Sequence, residues 1–361
     1  MVMLFHDQLH RVGPFSTVWF RNYGDKGVDL FFAISGILIC TRLCVEEAIA
    51  GHMDRKRFYI RRLFRIQPPA LVFLLGVAIL WACGRTSMTL PALAACVLLY
   101  RNYFPFHGGQ DTASAVTHHF WSLSVEEHFY LLLPTLLVCV KKGRALFVIT
   151  VIICGTAWAW ANSHVTSLSS AFDVGPVPNW RTDLRLNSLL VPALFAILLQ
   201  AESFRSVFKK LVTPLTAALF AGAAFVLQSQ TSSIIAYVLV LVAFPLLILG
   251  TMLHPNNLAA KVLEWRPLRY IGQISYSIYL WQQIFFFDCA GLDRLGEVSA
   301  SMVRYGGVLI VASLSYYLVE KPMMRIGHRL APAATPGRVE LVGDGPADSG
   351  TALEIAVPAR G

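Results

Sequence analysis

Long apolar stretches are the feature that most constrains how this chain folds. They approach the roughly 20 residues that a helix needs to cross a bilayer. The stretches lie at residues 27–43, 67–84, 121–140, 145–162, 183–200, 210–228, 232–253, 269–288 and 301–319. Only 14% of the residues are charged and 56% are hydrophobic, whereas soluble chains have about 25% and 45–50%. The sequence therefore predicts an all-α fold, a polytopic membrane helix bundle.

Two segments leave the number of spans open. Residues 1–6 look like the second half of another span, so the first helix is predicted to be truncated. No basic start with a small-residue cleavage site precedes it, so no cleavable signal peptide is predicted. Residues 90–103 are apolar but short, and carry Pro91 and Arg101. Including them gives about eleven spans, and excluding them gives about ten.

Basic loops decide between these two counts. Lys and Arg accumulate in cytoplasmic loops. With about ten spans and a cytoplasmic N-terminus, every basic connection falls on the cytoplasmic side, whereas with about eleven the later ones would be translocated. These connections lie at residues 42–65, 141–144, 205–210, 261–269 and 321–329. We therefore predict ten spans with both termini cytoplasmic, and a re-entrant or interfacial piece at 90–103 on the outer side.

The rest of the composition sets the domain limits and excludes some ligands. Residues 1–329 form the predicted transmembrane domain, and residues 330–361, rich in Ala, Pro and Gly, a disordered cytoplasmic tail. The net charge of +9 is explained by the basic loops, so nucleic-acid binding is not expected. The seven cysteines lack metal-ligand spacing, so no metal is predicted.

A histidine in an apolar run is the first catalytic candidate. His6 lies within MVMLFHDQLH, and histidine is the most frequent general acid or base in catalysis. The alternative is a histidine near a helix end that bonds water or a carbonyl. His10, one helical turn further on, is a weaker candidate.

Three arginines in FYIRRLFRIQPP form the second candidate site. Arg62 and Arg65 are three residues apart, hence on one helix face, and Arg61 lies beside them. Planar guanidinium groups suit phosphate oxygens, so this motif indicates a phosphate-bearing ligand. The alternative is that it sets topology or binds anionic lipid head groups.

Two adjacent carboxylates begin an otherwise apolar span in WSLSVEEHFY. Glu126 and Glu127 point about 100° apart on a helix, so at least one should face the bundle interior. Ser122 and Ser124 could cap the helix start, and an acidic residue near that end is electrostatically favourable. His118 and His119 come just before, in the predicted outer loop.

Charged residues also precede the span at 183–200. NWRTDLRLNSLL contains Arg181, Asp183 and Arg185, of which the two arginines are i,i+4 neighbours. They indicate either a polar rim that holds a hydroxyl-rich substrate or an interfacial ion pair anchored by Trp180. A phosphate-bearing donor inside and a polar acceptor outside would suit group transfer across the membrane.

Five motifs in order resemble the acyltransferase 3 family of membrane-bound O-acyltransferases, over residues 1–329. They are LFHDQ, GDKGVDLFFAISGILI, FYIRRLFRIQP, WSLSVEEHFYLLLP, and IGQISYSIYLW followed by VEKP. The resemblance implies ten spans in the bacterial inner membrane. It also implies an acyl-CoA donor, usually acetyl-CoA, and a hydroxyl of a cell-envelope or exported carbohydrate as acceptor.

The resemblance also implies roles for named residues. His6 would be the catalytic histidine, supported by Glu126 or Glu127. Arg61, Arg62 and Arg65 would contact the CoA phosphates. The residues expected to bind substrate are Asp29, Ser35, Ser124, Arg181, Asp183 and Arg185.

The chain departs from the family pattern at three places. Gln282 stands where a histidine is usual and Asn187 where an acidic residue is common. The family usually carries an Arg or Lys about ten residues before the histidine, and this chain begins five residues before His6. A transporter or flippase of a polar envelope molecule, or an inactive truncated relative, are the alternative interpretations. The sequence indicates no oligomeric state.

Overall fold

The described part of the chain is helical throughout. The computed structural model describes residues 26–103, 116–164, 180–231, 234–286 and 297–332. Within these ranges there is no strand, which confirms the predicted all-α class. The helices are α1 (Lys26–Ala50), α2 (Arg55–Ala82), α3 (Leu90–Val97), α4 (Phe120–Cys139), α5 (Arg144–His164), α6 (Thr182–Arg185), α7 (Asn187–Leu198), α8 (Glu202–Leu211), α9 (Pro214–Gln230), α10 (Ile234–Met252), α11 (Leu258–Leu263), α12 (Arg266–Gln273), α13 (Ser275–Phe286), α14 (Glu297–Ser315) and α15 (Lys321–Leu330). A π-helical turn, Tyr316–Glu320, joins the last two.

Several helices are long and apolar enough to cross a membrane. Among the described residues there are five such segments, or six if α7 and α8, which meet at a bend of 113°, count as one. The five are Lys26–Ala50, Arg55–Ala82, Arg144–Asn162, Ile234–Met252 and Ser299–Leu330. The protein is therefore a multi-pass helical membrane protein, as predicted, while the count of ten spans stays a prediction.

Helix α2 begins about three turns before the apolar stretch at 67–84 that predicted it. Asp54 caps its start, since its carboxylate accepts a hydrogen bond from the Arg57 N–H at 3.0 Å. These first turns are polar, so hydropathy gives no sign of them. As a result, the arginine motif lies within the helix rather than ahead of it.

The short helix α3 corresponds to the ambiguous segment at 90–103. Thr89 caps it by accepting a hydrogen bond from the Ala92 N–H at 3.3 Å. Its eight residues rise only about 12 Å, less than half of the roughly 30 Å hydrocarbon core. This helix is too short to span, and its outer location stays a prediction.

The main core is formed where α1, α2, α4, α7 and α13 meet. Each contributes fully buried side chains, among them Phe32, Phe73, Phe129, Leu189 and Leu280. Helices α1 and α7 approach closely at Gly36, where an added Cβ would lie 2.4 Å from the Leu189 carbonyl oxygen. This core holds the polar groups described next.

Cross-helix contacts bring three basic connections to one end of the bundle. Arg144, at the start of α5, bonds Glu47 near the end of α1 at 2.5 Å. Arg61 of α2 donates to the carbonyl of Ala331, just after α15, at 3.2 Å. The basic segments at 42–65, 141–144 and 321–329 thus lie together, as the ten-span prediction requires. That this end is cytoplasmic stays a prediction.

Candidate active site

A buried carboxylate, Glu126, lies at the centre of the candidate site. Its residue is only 3% exposed. Ser35 of α1 donates a hydrogen bond to its Oε1 at 2.5 Å, and the Tyr130 hydroxyl, one turn along α4, donates to the same oxygen. The expectation that at least one of the paired carboxylates faces the bundle interior is therefore met by Glu126. Two hydroxyl donors on one oxygen fix the orientation of this carboxyl group.

Glu127 has different surroundings from its neighbour. It is half-buried, and its Oε1 has no hydrogen-bond partner among the described residues. A buried acceptor without a partner is costly, so this oxygen is suited to receive a ligand or a further side chain. The two adjacent carboxyl groups therefore differ: Glu126 is hydrogen-bonded to two hydroxyls, whereas Oε1 of Glu127 can accept a hydrogen bond from a ligand or a further side chain.

The expectation that serines cap the start of α4 is wrong. The helix begins at Phe120, so Ser122 and Ser124 lie inside it. Ser122 donates to the carbonyl of His119 at 3.0 Å, and Ser124 donates to the carbonyl of Phe120 at 2.9 Å. Hydroxyls within a helix commonly bond the preceding turn in this way. Ser122 also contacts the Tyr279 hydroxyl, which ties α4 to α13.

The predicted arginines converge on a cavity of about 200 Å³ at the end of the bundle that carries the basic connections. The cavity is bounded by α1, α2 and α15. Its polar lining residues are Arg42, Glu46, Arg61, Arg62, Arg65 and His328. Sequence reasoning had assigned Arg42 only to topology. Its position at the end of an apolar helix gave no sign that it would join the motif on α2.

The four arginines of this cavity have unequal partners. Arg61 forms an ion pair with Glu46 at 3.4 Å and also bonds the Ala331 carbonyl. Arg62 lies over two aromatic rings, 4.6 Å from the Tyr130 centroid and 5.8 Å from that of Phe58. Neither Arg42 nor Arg65 has a hydrogen bond or ion pair with any described residue. The cavity therefore carries an excess of positive charge that suits an anionic ligand.

The residues of the predicted polar rim are held by ion pairs between and within helices. Arg181 pairs with Asp183 at 3.0 Å, and the Trp158 indole donates to the same carboxylate at 2.8 Å. Arg185 pairs with Asp29 of α1 at 2.9 Å, which joins α6 to α1. Ion pairs are thus present among these residues, while their location at the membrane interface and a role in substrate binding both stay predictions.

The two internal positions that depart from the family pattern are both buried. Gln282 is 1% exposed, and its amide donates to the Tyr279 carbonyl at 3.2 Å. Asn187 donates to Thr156 at 2.9 Å and to the Ile152 carbonyl at 3.2 Å, so it links α7 to α5. Asn187 therefore connects α7 to α5 by hydrogen bonds.

One central prediction lies outside the described residues. His6 precedes the described ranges, as do all other residues before 26. Among the ranges that are described, no group of three His, Cys, Asp or Glu side chains could hold a metal ion.

Two groups near the site were not singled out from the sequence. Tyr130 belongs to the quoted WSLSVEEHFY motif, but only its contact with Glu126 shows its importance. Glu320, in the quoted VEKP motif, is 2% exposed and accepts a hydrogen bond from Ser277 at 2.9 Å. Both motifs marked the regions, while the contacts identify the residues.

Long apolar helices that enclose buried carboxylates and a basic cavity define a multi-pass helical membrane protein. Comparison with known families gives the particular group. A family model described as an acyltransferase domain matches residues 2–319, and the chain belongs to this family. The resemblance inferred from the motifs is confirmed.

Curated relatives carry related descriptions. The O-acetyltransferase OatA of Staphylococcus aureus is 29% identical over 332 residues, which cover 85% of this chain and 53% of OatA. The putative peptidoglycan O-acetyltransferase YrhL of Bacillus subtilis is 26% identical over 347 residues, covering 85% of this chain and 52% of YrhL. The chain thus spans about half the length of these relatives. No solved structure matches it.

Proposed function

We propose that this protein is an integral membrane O-acyltransferase. It moves an acyl group, acetyl in the first instance, from acyl-CoA to a hydroxyl of a cell-envelope or exported carbohydrate. The observation that carries this proposal is the family match over residues 2–319. The names of OatA and YrhL support acetyl as the acyl group and an envelope glycan as acceptor.

The donor binds in the arginine cavity in this proposal. The excess positive charge of Arg62 and Arg65, with Arg61 and Arg42 beside them, suits the phosphates of a CoA thioester. Under the predicted topology this end of the bundle faces the cytoplasm, where acyl-CoA is available. The acceptor is bound at the other end by the rim of Arg181, Asp183 and Arg185.

Two chemical routes fit the residues. In one, His6 takes the proton of the acceptor hydroxyl, and the hydroxyl oxygen attacks the thioester carbonyl. The carbon–sulfur bond then breaks, and the CoA sulfur takes the proton from the imidazolium and leaves as a thiol. In the other, the His6 imidazole attacks first, releases CoA thiol and passes its acyl group to the hydroxyl. Glu126 or Glu127 would orient the imidazole or stabilise its cation, as a carboxylate does in a triad.

The location of the protein follows from the same topology. We place it in the bacterial inner membrane with both termini in the cytoplasm, and residues 330–361 as a cytoplasmic tail. The proposed partners are the lipid bilayer and the carbohydrate acceptor, without nucleic acid and without a metal.

Mass spectrometry of envelope glycans tests this function. A deletion strain is complemented with the full-length gene, its His6→Ala variant or a His52→Ala control, which changes an exposed histidine between α1 and α2. We expect the gene and the control to restore O-acylation and His6→Ala to restore none. Full O-acylation with His6→Ala, at equal abundance in the membrane fraction, would exclude the assigned catalyst. A deletion that alters glycan export but not acylation would favour a transporter.

A further inference from the structure

Tyr130 contacts two charged groups of the candidate site at once. Its hydroxyl donates to Oε1 of Glu126, and it lies 3.3 Å from the Ser35 hydroxyl. The face of its ring carries the Arg62 guanidinium, 4.6 Å from the ring centroid. The side chain is 2% exposed, so both contacts are shielded from water. One buried residue thus joins the arginine cavity to the central carboxyl group.

Three other tyrosines of the bundle bond the main chain through their hydroxyls. Tyr59, Tyr276 and Tyr279 donate to main-chain carbonyls, at 3.1, 2.7 and 3.0 Å respectively. Such bonds satisfy a polar atom in an apolar environment and tie helices together. Tyr130 instead donates to a side-chain carboxyl group whose orientation it thereby restricts.

The ring contact fixes the other charged group. Arg62 lies between Phe58 and Tyr130, whose rings meet edge to face at 6.4 Å. A guanidinium held over an aromatic face in a shielded site is attracted by the negative face of the ring. Tyr130 therefore fixes the position of the Arg62 guanidinium from one side, while the N–H groups of Arg62 face the cavity.

We propose that Tyr130 is a positioning residue that sets the Glu126 carboxyl group through its hydroxyl and the Arg62 guanidinium through its ring. This inference rests on the proposed acyltransferase function, because it assigns Glu126 to the chemistry and Arg62 to the donor. Its two contacts are chemically separable. Loss of the hydroxyl affects the chemical step, whereas loss of the ring also affects donor binding.

Tyr130→Phe separates the two contacts. In the full-length protein reconstituted in nanodiscs, with acetyl-CoA as donor and a soluble glycan fragment as acceptor, we expect kcat to fall roughly tenfold to hundredfold. The donor KM should change less than about twofold, because the ring remains under Arg62. Tyr59→Phe is the matched control, since the hydroxyl of Tyr59, in α2, bonds the carbonyl of Leu131, the residue next to Tyr130 in α4. This control should keep the wild-type kcat and KM.

Two further variants distinguish positioning from general loss of stability. Tyr130→Leu removes the ring as well, and should add a donor KM increase of roughly threefold to thirtyfold. Glu126→Gln combined with Tyr130→Phe should be no slower than Glu126→Gln alone, because the hydroxyl acts through that carboxyl group. Independent, additive losses would indicate a structural role instead.

Failure of this inference differs from failure of the proposed function. If the wild-type protein transfers the acyl group and Tyr130→Phe has the same kcat, the role of Tyr130 is overturned and the proposed function stands. No transfer from acetyl-CoA by the wild-type protein would overturn the proposed function. If Tyr130→Phe unfolds at a much lower temperature than Tyr59→Phe, the additivity test at a temperature where both are folded decides the matter.

Discussion

Arg62 shows how a membrane protein can hold a positive charge in readiness for an anion. An arginine inside the bilayer is expensive unless it has partners, and here two aromatic rings supply part of the compensation. The remaining donors of the guanidinium face a cavity of about 200 Å³ shared with three other arginines. The role in donor binding that we propose for Arg62 can be measured separately from the chemistry.

Replacement of Arg62 by Gln should weaken binding of the donor rather than slow the chemical step. Loss of a charge-assisted bond to phosphate costs about 1.5–3 kcal/mol, so the KM for acetyl-CoA should rise roughly tenfold to hundredfold. Arg55→Gln removes the same charge from the same helix outside the cavity, at an exposed position, and should leave KM unchanged. An equal rise in both variants would point to a general surface-charge effect.

At this scale the sequence singled out candidate residues but did not indicate which of them are in contact. Glu126 and the arginine motif were identified because charged groups are scarce in apolar segments. Their partners were not: Ser35 is 91 positions from Glu126, and hydropathy carries no information about which helices are neighbours. The caps assigned to Ser122 and Ser124 were wrong because the helix already begins at Phe120, so both serines lie inside it.

Among the helices, the close approach of α1 and α7 has the clearest requirement on sequence. A Cβ at Gly36 would lie 2.4 Å from the Leu189 carbonyl oxygen and 3.1 Å from Pro192 Cβ. Backbone atoms cannot give way as a flexible side chain does. Helix α1 also carries Asp29 and Ser35, so separation of the two helices would disturb the site.

Gly36→Ala should therefore destabilise the protein by about 1–3 kcal/mol. Thermal unfolding in detergent should show a lower Tm than wild type, together with reduced transfer. The matched control is Gly222→Ala in α9, where an added Cβ meets nothing within 4 Å; the helical preference of alanine should make it neutral or slightly stabilising. If both variants melted like wild type, the packing argument would be wrong.

Helix positions were predicted more reliably than helix limits. The apolar stretches at 27–43 and 145–162 fall within α1 and α5 because burial in lipid requires a long apolar run. The start of α2 was missed because a polar first turn capped by Asp54 resembles a loop. Rotation of each helix about its axis, which decides what faces the site, depends on packing between helices.

For the whole molecule, the contacts show which basic segments share one end of the bundle, and this bears on orientation in the membrane. Bonds from Arg144 to Glu47 and from Arg61 to the Ala331 carbonyl gather basic connections at one end. The positive-inside rule predicts that this end is cytoplasmic. The opposite end, which includes the loop after α2, should then be exposed to the outside.

Cysteine labelling of intact cells checks this orientation. In a variant with the seven native cysteines replaced, Lys142→Cys should react with a membrane-impermeant maleimide only after permeabilisation. Arg85→Cys, in the loop after α2, should react without it. Both positions are exposed, so access and not burial decides the result. The reverse pattern would invert the topology and place the arginine cavity outside.

The π-helical turn at Tyr316–Glu320 changes the direction in which the side chains of two consecutive helices point. Such a turn holds one residue more than an α-helical turn, so the segment after it is rotated by about 100° relative to an unbroken helix. Helix α14 thereby faces α13, while α15 turns towards α2 and seats Gly327 against Phe64. A single added residue thus changes which side of the following helix faces its neighbours. The segment that contains it therefore packs against α13 before the turn and lines the arginine cavity with His328 after it.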